Sequence, residues 1–223
     1  MPPRSPRPSL SSSGFTLVEL LTVTAIVGVL AAIIIPVVGK VKESARNAEC
    51  LSNLRQVHIR YSAYVADNRG RIPVAYKSGW DWRHILNSTS SASYSPDGFK
   101  NEKAVFGCPV KRMEKDITDP TVPTYSLNLR INRLGAGGAN EERPLAVFEQ
   151  PSRTLLFADG YYKANGDWGP TLEPHTPPEF IHNDKTNAVF LDGHVASLTR
   201  EQVPTSAAVG TEDHLFWYGV RTP

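Results

Sequence analysis

The stretch SSSGFTLVELLTVTAIVGVLAAIIIPVVGK, Ser11 to Lys40, decides the fold. From Leu20 to Val38 it is an uncharged run, close to the roughly 20 apolar residues a helix needs to cross a bilayer. Glu19 stands at the start of that run, with Phe15, Leu17 and Val18 before it and Leu20 and Leu21 after it. An ionised carboxylate at membrane depth costs roughly 2.5–3.5 kcal/mol on insertion scales, so Glu19 needs a partner. Pro36 lies inside the run. A proline removes one helical hydrogen bond and loosens the helix locally, and a neighbouring helix can cover the freed carbonyl.

Upstream, residues 1–14 are basic, rich in Pro and Ser and free of acids, which marks a leader and not a folded element. Arg4 and Arg7 account for the whole formal net charge of +2. So small a charge gives no electrostatic footprint for nucleic acid. An ordinary secretory signal is cut after its apolar segment, at small residues, and no convincing site of that kind follows this run. The polar SSSG offers a bond before it instead. A cut after Gly14 would free a Phe15 amine four residues from Glu19. Helix positions i and i+4 share a face, and the amine of one helix can also meet Glu19 of a neighbour. Two opposite charges that find each other offset much of their desolvation, whereas a lone charge does not. Glu19 would then drive side-by-side assembly and set the stagger between subunits. The alternative is an uncut anchor with Glu19 held near the interface.

Downstream, the helical pattern continues. Val41, Ala45, Ala48, Leu51, Leu54, Val57, Tyr61 and Val65 form one apolar stripe at three- and four-residue steps. DNRGRIP, Asp67 to Pro73, supplies the stop. The remainder reads as strand and loop, with a short helix in SGWDWRHIL and a proline-rich connection over residues 173–180. Strands are expected at 145–150, 154–158, 187–191, 194–198 and 214–220. TLLFADGYY and NAVFLDGHV share a strand–Asp-Gly–strand pattern, and Asp-Gly favours a two-residue hairpin turn. That turn at Asp192–Gly193 would pair Leu191 with His194 and Phe190 with Val195, in a hairpin apolar on both faces and central in its sheet. The two cysteines, Cys50 and Cys108, allow one intramolecular disulfide or two separate thiols.

GFTLVELL followed by an apolar run with Pro36 resembles the prepilin signal of type IV pilins and type II secretion pseudopilins. The likeness covers Gly14 to about Gly39. It implies cleavage between Gly14 and Phe15 by a prepilin peptidase, N-methylation of Phe15 by the same enzyme, a registration role for Glu19 and a loosening role for Pro36. CLSNLRQ (Cys50 to Gln56), YVADNRGRIP (Tyr64 to Pro73), FGCP (Phe106 to Pro109) and HNDKTNAVFLDG (His182 to Gly193) extend the likeness to a bacterial subgroup with an H-x9-DG signature. The long proline-rich leader and the lack of a C-terminal disulfide loop depart from many pilins and lean towards a pseudopilin or minor subunit.

The expected fold is α+β and pilin-like: a long N-terminal helix, transmembrane then amphipathic, packed on an antiparallel sheet. The expected organisation is a cytoplasmic leader at 1–14, a transmembrane and assembly helix at 15–39, its amphipathic continuation at 40–66, and an exported head at 67–223. The expected protein is a structural subunit of a bacterial inner-membrane pseudopilus or pilus. Its partners would be the peptidase-methylase, other such subunits and lipid, with no nucleic acid. Asp159, His182, Asp192 and His194 form the one polar constellation of the head. It suits a structural calcium or transition-metal ion, although turn and packing roles explain the same residues. No cofactor is required, and no triad order, HExxH or phosphate loop points to an enzyme. Two other classes remain. A membrane-tethered binding module would expose aromatics near Trp80, Trp82, Tyr94 and Phe99. A tethered metallohydrolase would need the four polar residues to converge.

Overall fold

The computed structural model describes residues 16–77, 80–87, 106–114, 117, 124–133, 140–162, 168–169 and 171–221. It divides into two units, Met1–Glu43 and Ser44–Pro223. Helix α1, Leu17–Asp67, is 51 residues long and contains Pro36 without ending there. In the first unit its large apolar side chains are exposed, from Leu17 through Val41, with Ile35 at 72%. In the second unit α1 buries Cys50, Asn53, Leu54, Val57, Tyr61 and Val65. The buried seam thus starts later than the sequence stripe: Val41, Ala45 and Ala48 are exposed, and Leu51 is half-buried. Asn53 joins the seam because its Nδ2 donates to Gly107 O at 3.0 Å, which removes the cost of burying the amide. Arg69 and Gly70 follow the helix at φ of 58° and 74°, turning the chain out of it as the breakers require.

Short strands β1 (Tyr76–Lys77) and β2 (Trp80–Asp81) pair antiparallel and lead into α2, Trp82–Asn87. Helix α3 covers Pro109–Glu114. The main sheet holds β3 (Tyr125–Asn128), β4 (Leu155–Asp159), β7 (Thr171–Leu172), β8 (Lys185–Phe190) and β9 (Val195–Thr199) in the order β7-β3-β4-β8-β9. Strands β5 (Tyr161–Tyr162) and β6 (Trp168–Gly169) pair separately. All pairings in the main sheet are antiparallel except β3 with β7. The expected α+β class, a long N-terminal helix on an antiparallel-rich sheet, is the observed one.

The sheet is covered on both faces. Leu54, Val57 and Tyr61 of α1 pack with Leu127, Phe157 and Val189. On the other side, Trp217 packs with Leu155, Ala158, Ala188, Phe190 and Leu198. A bulge in β4 between Leu155 and Phe157 makes this division possible. It inserts one residue, so consecutive Leu156 and Phe157 both join the helix-side core. Burial on two faces explains why Leu155 to Ala158 are apolar throughout.

Four sequence expectations need correction. Residues 214–220 are not a strand: α4, Glu212–Tyr218, occupies them. Thr211 Oγ1 accepts the His214 N–H, Glu212 and Asp213 lie in the first turn, and Gly219 closes the helix at φ 71°. Residues 145–150 form a 3-10 turn, Leu145–Val147, and irregular chain; Pro144 and Pro151 bracket the segment and deny it a ladder. The β8–β9 turn has three residues, Leu191 to Gly193, because β8 and β9 pair Val189 with Val195. Gly193 N–H donates to Phe190 O at 2.9 Å, and Gly193 takes φ 92°, the three-residue loop with a left-handed third residue. This shifts the register by one from the expected pairing, and β9 lies at the sheet edge. Finally, Asp159 is no hairpin-turn residue. It is fully buried at the end of β4, paired with Tyr125 of β3.

Candidate functional site

Thr16, Leu17, Val18 and Glu19 spell a capping box at the start of α1. The Thr16 N–H and Oγ1 donate to Glu19 Oε2 at 2.9 and 2.7 Å. In return, Thr16 Oγ1 accepts the Glu19 N–H at 3.2 Å. Glu19 therefore has a local partner that the sequence reading overlooked, although the T-x-x-E spacing announces it. The hydroxyls of Thr22 and Thr24 bond back to Glu19 O and Leu21 O, each at 3.0 Å. Those side chains carry no free donor into an apolar surrounding. A Cβ on Gly28 or Gly39 would meet nothing within 4 Å. The stretch is thus a long, exposed apolar surface with one carboxylate at its start. Gly14 and Phe15 lie outside the described residues.

In the head, Cys50 and Cys108 form a disulfide with Cα atoms 4.8 Å apart. It ties α1 to the loop before α3. Around it, Tyr125 OH donates to Cys50 O at 3.0 Å, and Cys108 N–H to Thr124 Oγ1 at 2.5 Å. Burial pushes the Tyr125 phenol well above its usual range.

His182 reaches this disulfide through a tight turn. Asn183 and Asp184 take φ of 51° and 58°, and His182 and Lys185 exchange both backbone hydrogen bonds, at 2.9 and 3.1 Å. Positive φ at both central positions is the hairpin geometry that Asn and Asp tolerate best. The turn sets His182 Nε2 3.4 Å from Cys108 Sγ and 3.3 Å from Asp159 Oδ2. Asp159 Oδ2 also accepts the Asn187 N–H at 2.7 Å, while Oδ1 is buried without a hydrogen-bond partner. Asn187 Nδ2 donates to Asn47 Oδ1 of α1 at 2.6 Å, and Asn187 Oδ1 accepts from Ser197 at 2.6 Å. Nearby in sequence, the buried Lys111 pairs with Glu179 at 2.6 Å and donates to Gly160 O.

The four polar residues singled out in the sequence thus fall into two pairs. Asp159 and His182 lie inside the head. Asp192 and His194 sit on the β8–β9 turn, with their side chains 37% and 45% exposed and His194 Nδ1 2.6 Å from Asp192 Oδ1. Desolvation opposes ionisation of Asp192, but the hydrogen bonds and charge of His194 outweigh it and hold the carboxyl below its usual value. Potential metal-ligand atoms cluster at Cys50, Cys108 and His182, all within 4.8 Å of one another. Asp159, which touches His182, is not in that group, and neither are Asp192 and His194. Sequence spacing could not place Cys50 and Cys108 beside His182, because three separate elements carry them. Trp82 is fully buried against Phe157, with ring centroids 4.6 Å apart, and so belongs to the core. Tyr94 and Phe99 lie outside the described residues.

The chain is 28% identical over 116 residues to the type IV major fimbrial protein FimA of Dichelobacter nodosus, a match covering 52% of this chain and 71% of that protein. No family model matches the chain, and no solved structure matches it. The long N-terminal helix on an antiparallel-rich sheet is consistent with a pilin-like fold, in line with this likeness.

Proposed function

We propose that this protein is a structural subunit, a pseudopilin or minor pilin, of a type II secretion pseudopilus or a type IV pilus-like filament. The carrying observation is the exposed apolar half of α1 with Glu19 at its start. An apolar surface of that length needs lipid before assembly and other helices after it. The similarity to a fimbrial protein supports the same reading. In this account a prepilin peptidase cuts between Gly14 and Phe15 and methylates the new amine. The leader stays cytoplasmic and the head is exported. Glu19, held by Thr16 in the single chain, then takes the Phe15 amine of a neighbouring subunit as its charged partner. Pro36 loosens the packed helices. The chain performs no catalysis and is itself the substrate of the peptidase-methylase.

Mass spectrometry of the mature N-terminus tests the processing step. N-methylated Phe15 is expected, and any other terminus rejects it. Two substitutions separate the roles of Glu19. Gln also serves in a capping box, so Glu19→Gln keeps the helix start but removes the charge. Both Glu19→Gln and Glu19→Ala should be cleaved normally and lost from filaments. Normal incorporation of Glu19→Gln would reject the charge-pair mechanism.

A further inference from the structure

We propose that a chain folding before its thiols are oxidised binds one zinc ion in the head, through Cys50 Sγ, Cys108 Sγ, His182 Nε2 and a carboxylate oxygen of Asp159. This stands independently of the filament reading.

Two of the donor spacings already suit a metal; the two sulfurs, bonded to each other here, would separate to about 3.8 Å and the Asp159 carboxylate would turn towards them. In a tetrahedral zinc site, bonds of about 2.0–2.1 Å to nitrogen and oxygen and about 2.3 Å to sulfur put neighbouring N and S about 3.5 Å apart, and N and O about 3.4 Å apart. His182 Nε2 lies 3.4 Å from Cys108 Sγ and 3.3 Å from Asp159 Oδ2. The two sulfurs and Nε2 lie within 4.8 Å of one another. Two thiolates with an imidazole are a donor set that soft and borderline metals prefer. The buried Asp159 Oδ1 has no hydrogen-bond partner, an independent sign that this carboxylate can accept a further bond.

The surrounding frame does not depend on the sulfur–sulfur bond. Cys108 N–H is held by Thr124 Oγ1, Gly107 O by Asn53, and Cys50 O by Tyr125 OH. Reduced cysteines would therefore stay in the same pocket. Both cysteines are fully buried, so the choice between disulfide and metal is made during folding and not by attack on the finished head. The balance is simple: two thiols bind Zn2+ and release two protons, with His182 Nε2 and the Asp159 carboxylate unprotonated. Metal then joins α1 to the loop before α3 in place of the disulfide.

The test uses the full chain in detergent, refolded with a phosphine reductant and cobalt(II) as the probe. The reduced chain should take up one cobalt per chain with the absorption of a tetrahedral thiolate site, and zinc should displace it. The disulfide form should take up none. His182→Gln and Asp159→Asn, which preserve size, should each weaken metal binding roughly tenfold or more. A reduced chain that folds, by circular dichroism, yet takes up no cobalt overturns the proposal. So does one that folds neither with nor without metal. Parent-like affinity in both variants would also overturn it, since two cysteines alone would then account for the uptake.

Discussion

His58 of α1 closes over Gly193 of the β8–β9 turn: a Cβ on Gly193 would come within 2.5 Å of His58 Cε1. His58 Nε2 also lies 3.2 Å from Leu191 O in the same turn. Together with the Asp159–His182 contact at the other end of β8, this ties both ends of that strand into the helix-side core. Gly193→Ala meets two obstacles, the clash and the φ of 92°. It should destabilise the head by about 1–3 kcal/mol. Adding His58→Ala should recover the steric part and leave the backbone part, so the double-mutant cycle by urea unfolding should be non-additive. Strict additivity would show that the ring and the turn do not press on each other.

The disulfide spans 58 residues of sequence. In the chain-entropy model, closing such a loop stabilises by about 4 kcal/mol. Cys50→Ser combined with Cys108→Ser, unfolded in urea with a chelator present, should lose stability of that order without a change of fold. An unchanged midpoint would mean that the reduced unfolded chain is already compact around this contact.

Asn128 holds three groups at the junction of β3, β4 and α4. Its Nδ2 donates to Leu155 O at 2.8 Å and Trp217 O at 2.7 Å, and its Oδ1 accepts the Arg130 N–H at 3.0 Å. Asn128→Leu keeps the bulk but strands buried carbonyls, which should cost about 2–4 kcal/mol. Amide hydrogen exchange should rise in α4 before it rises in β8. Uniform acceleration across the head would show that Asn128 does not specifically dock α4.

Asp81 carries an acid dependence. Desolvation opposes its ionisation, but hydrogen bonds from His84 and Arg83 and the charge of Arg83 outweigh it and hold the carboxyl below its usual value. A depressed folded-state value contributes stability that is present above the ordinary carboxylate range and lost as pH falls through the folded value. Acid unfolding followed by tryptophan fluorescence should therefore steepen below the usual Asp range, and Asp81→Asn should flatten that limb. An identical acid limb in the variant would remove Asp81 from the account.

Much of this architecture follows from short-range pattern. The apolar run and the breakers after Asp67 define α1, because a helix and its stop are set within a few turns of chain. α4 is the counter-case, expected as a strand at 214–220 and found as a helix. Thr211, the acids after it and Gly219 are helix punctuation, but the aromatic run between them invites a strand. Likewise, Thr16 and Glu19 carry their capping relation in their spacing. Asn183 and Asp184 are turn-prone residues that the sequence expectations did not use, and their turn folds His182 back.

What the sequence by itself determined is an apolar helix with a carboxylate at its start, an amphipathic continuation and a strand-rich head. Only the tertiary structure decided where the buried seam of α1 begins, which register β8 and β9 adopt, and that Cys50, Cys108, His182 and Asp159 meet. The reason is physical. Helix and turn preferences act between residues a few positions apart, whereas these outcomes depend on chain segments far apart in sequence competing for one buried volume. The one-residue bulge in β4 and the packing of His58 on Gly193 belong to that competition: the Asp-Gly pair announces a turn, but neither its register nor what packs on it.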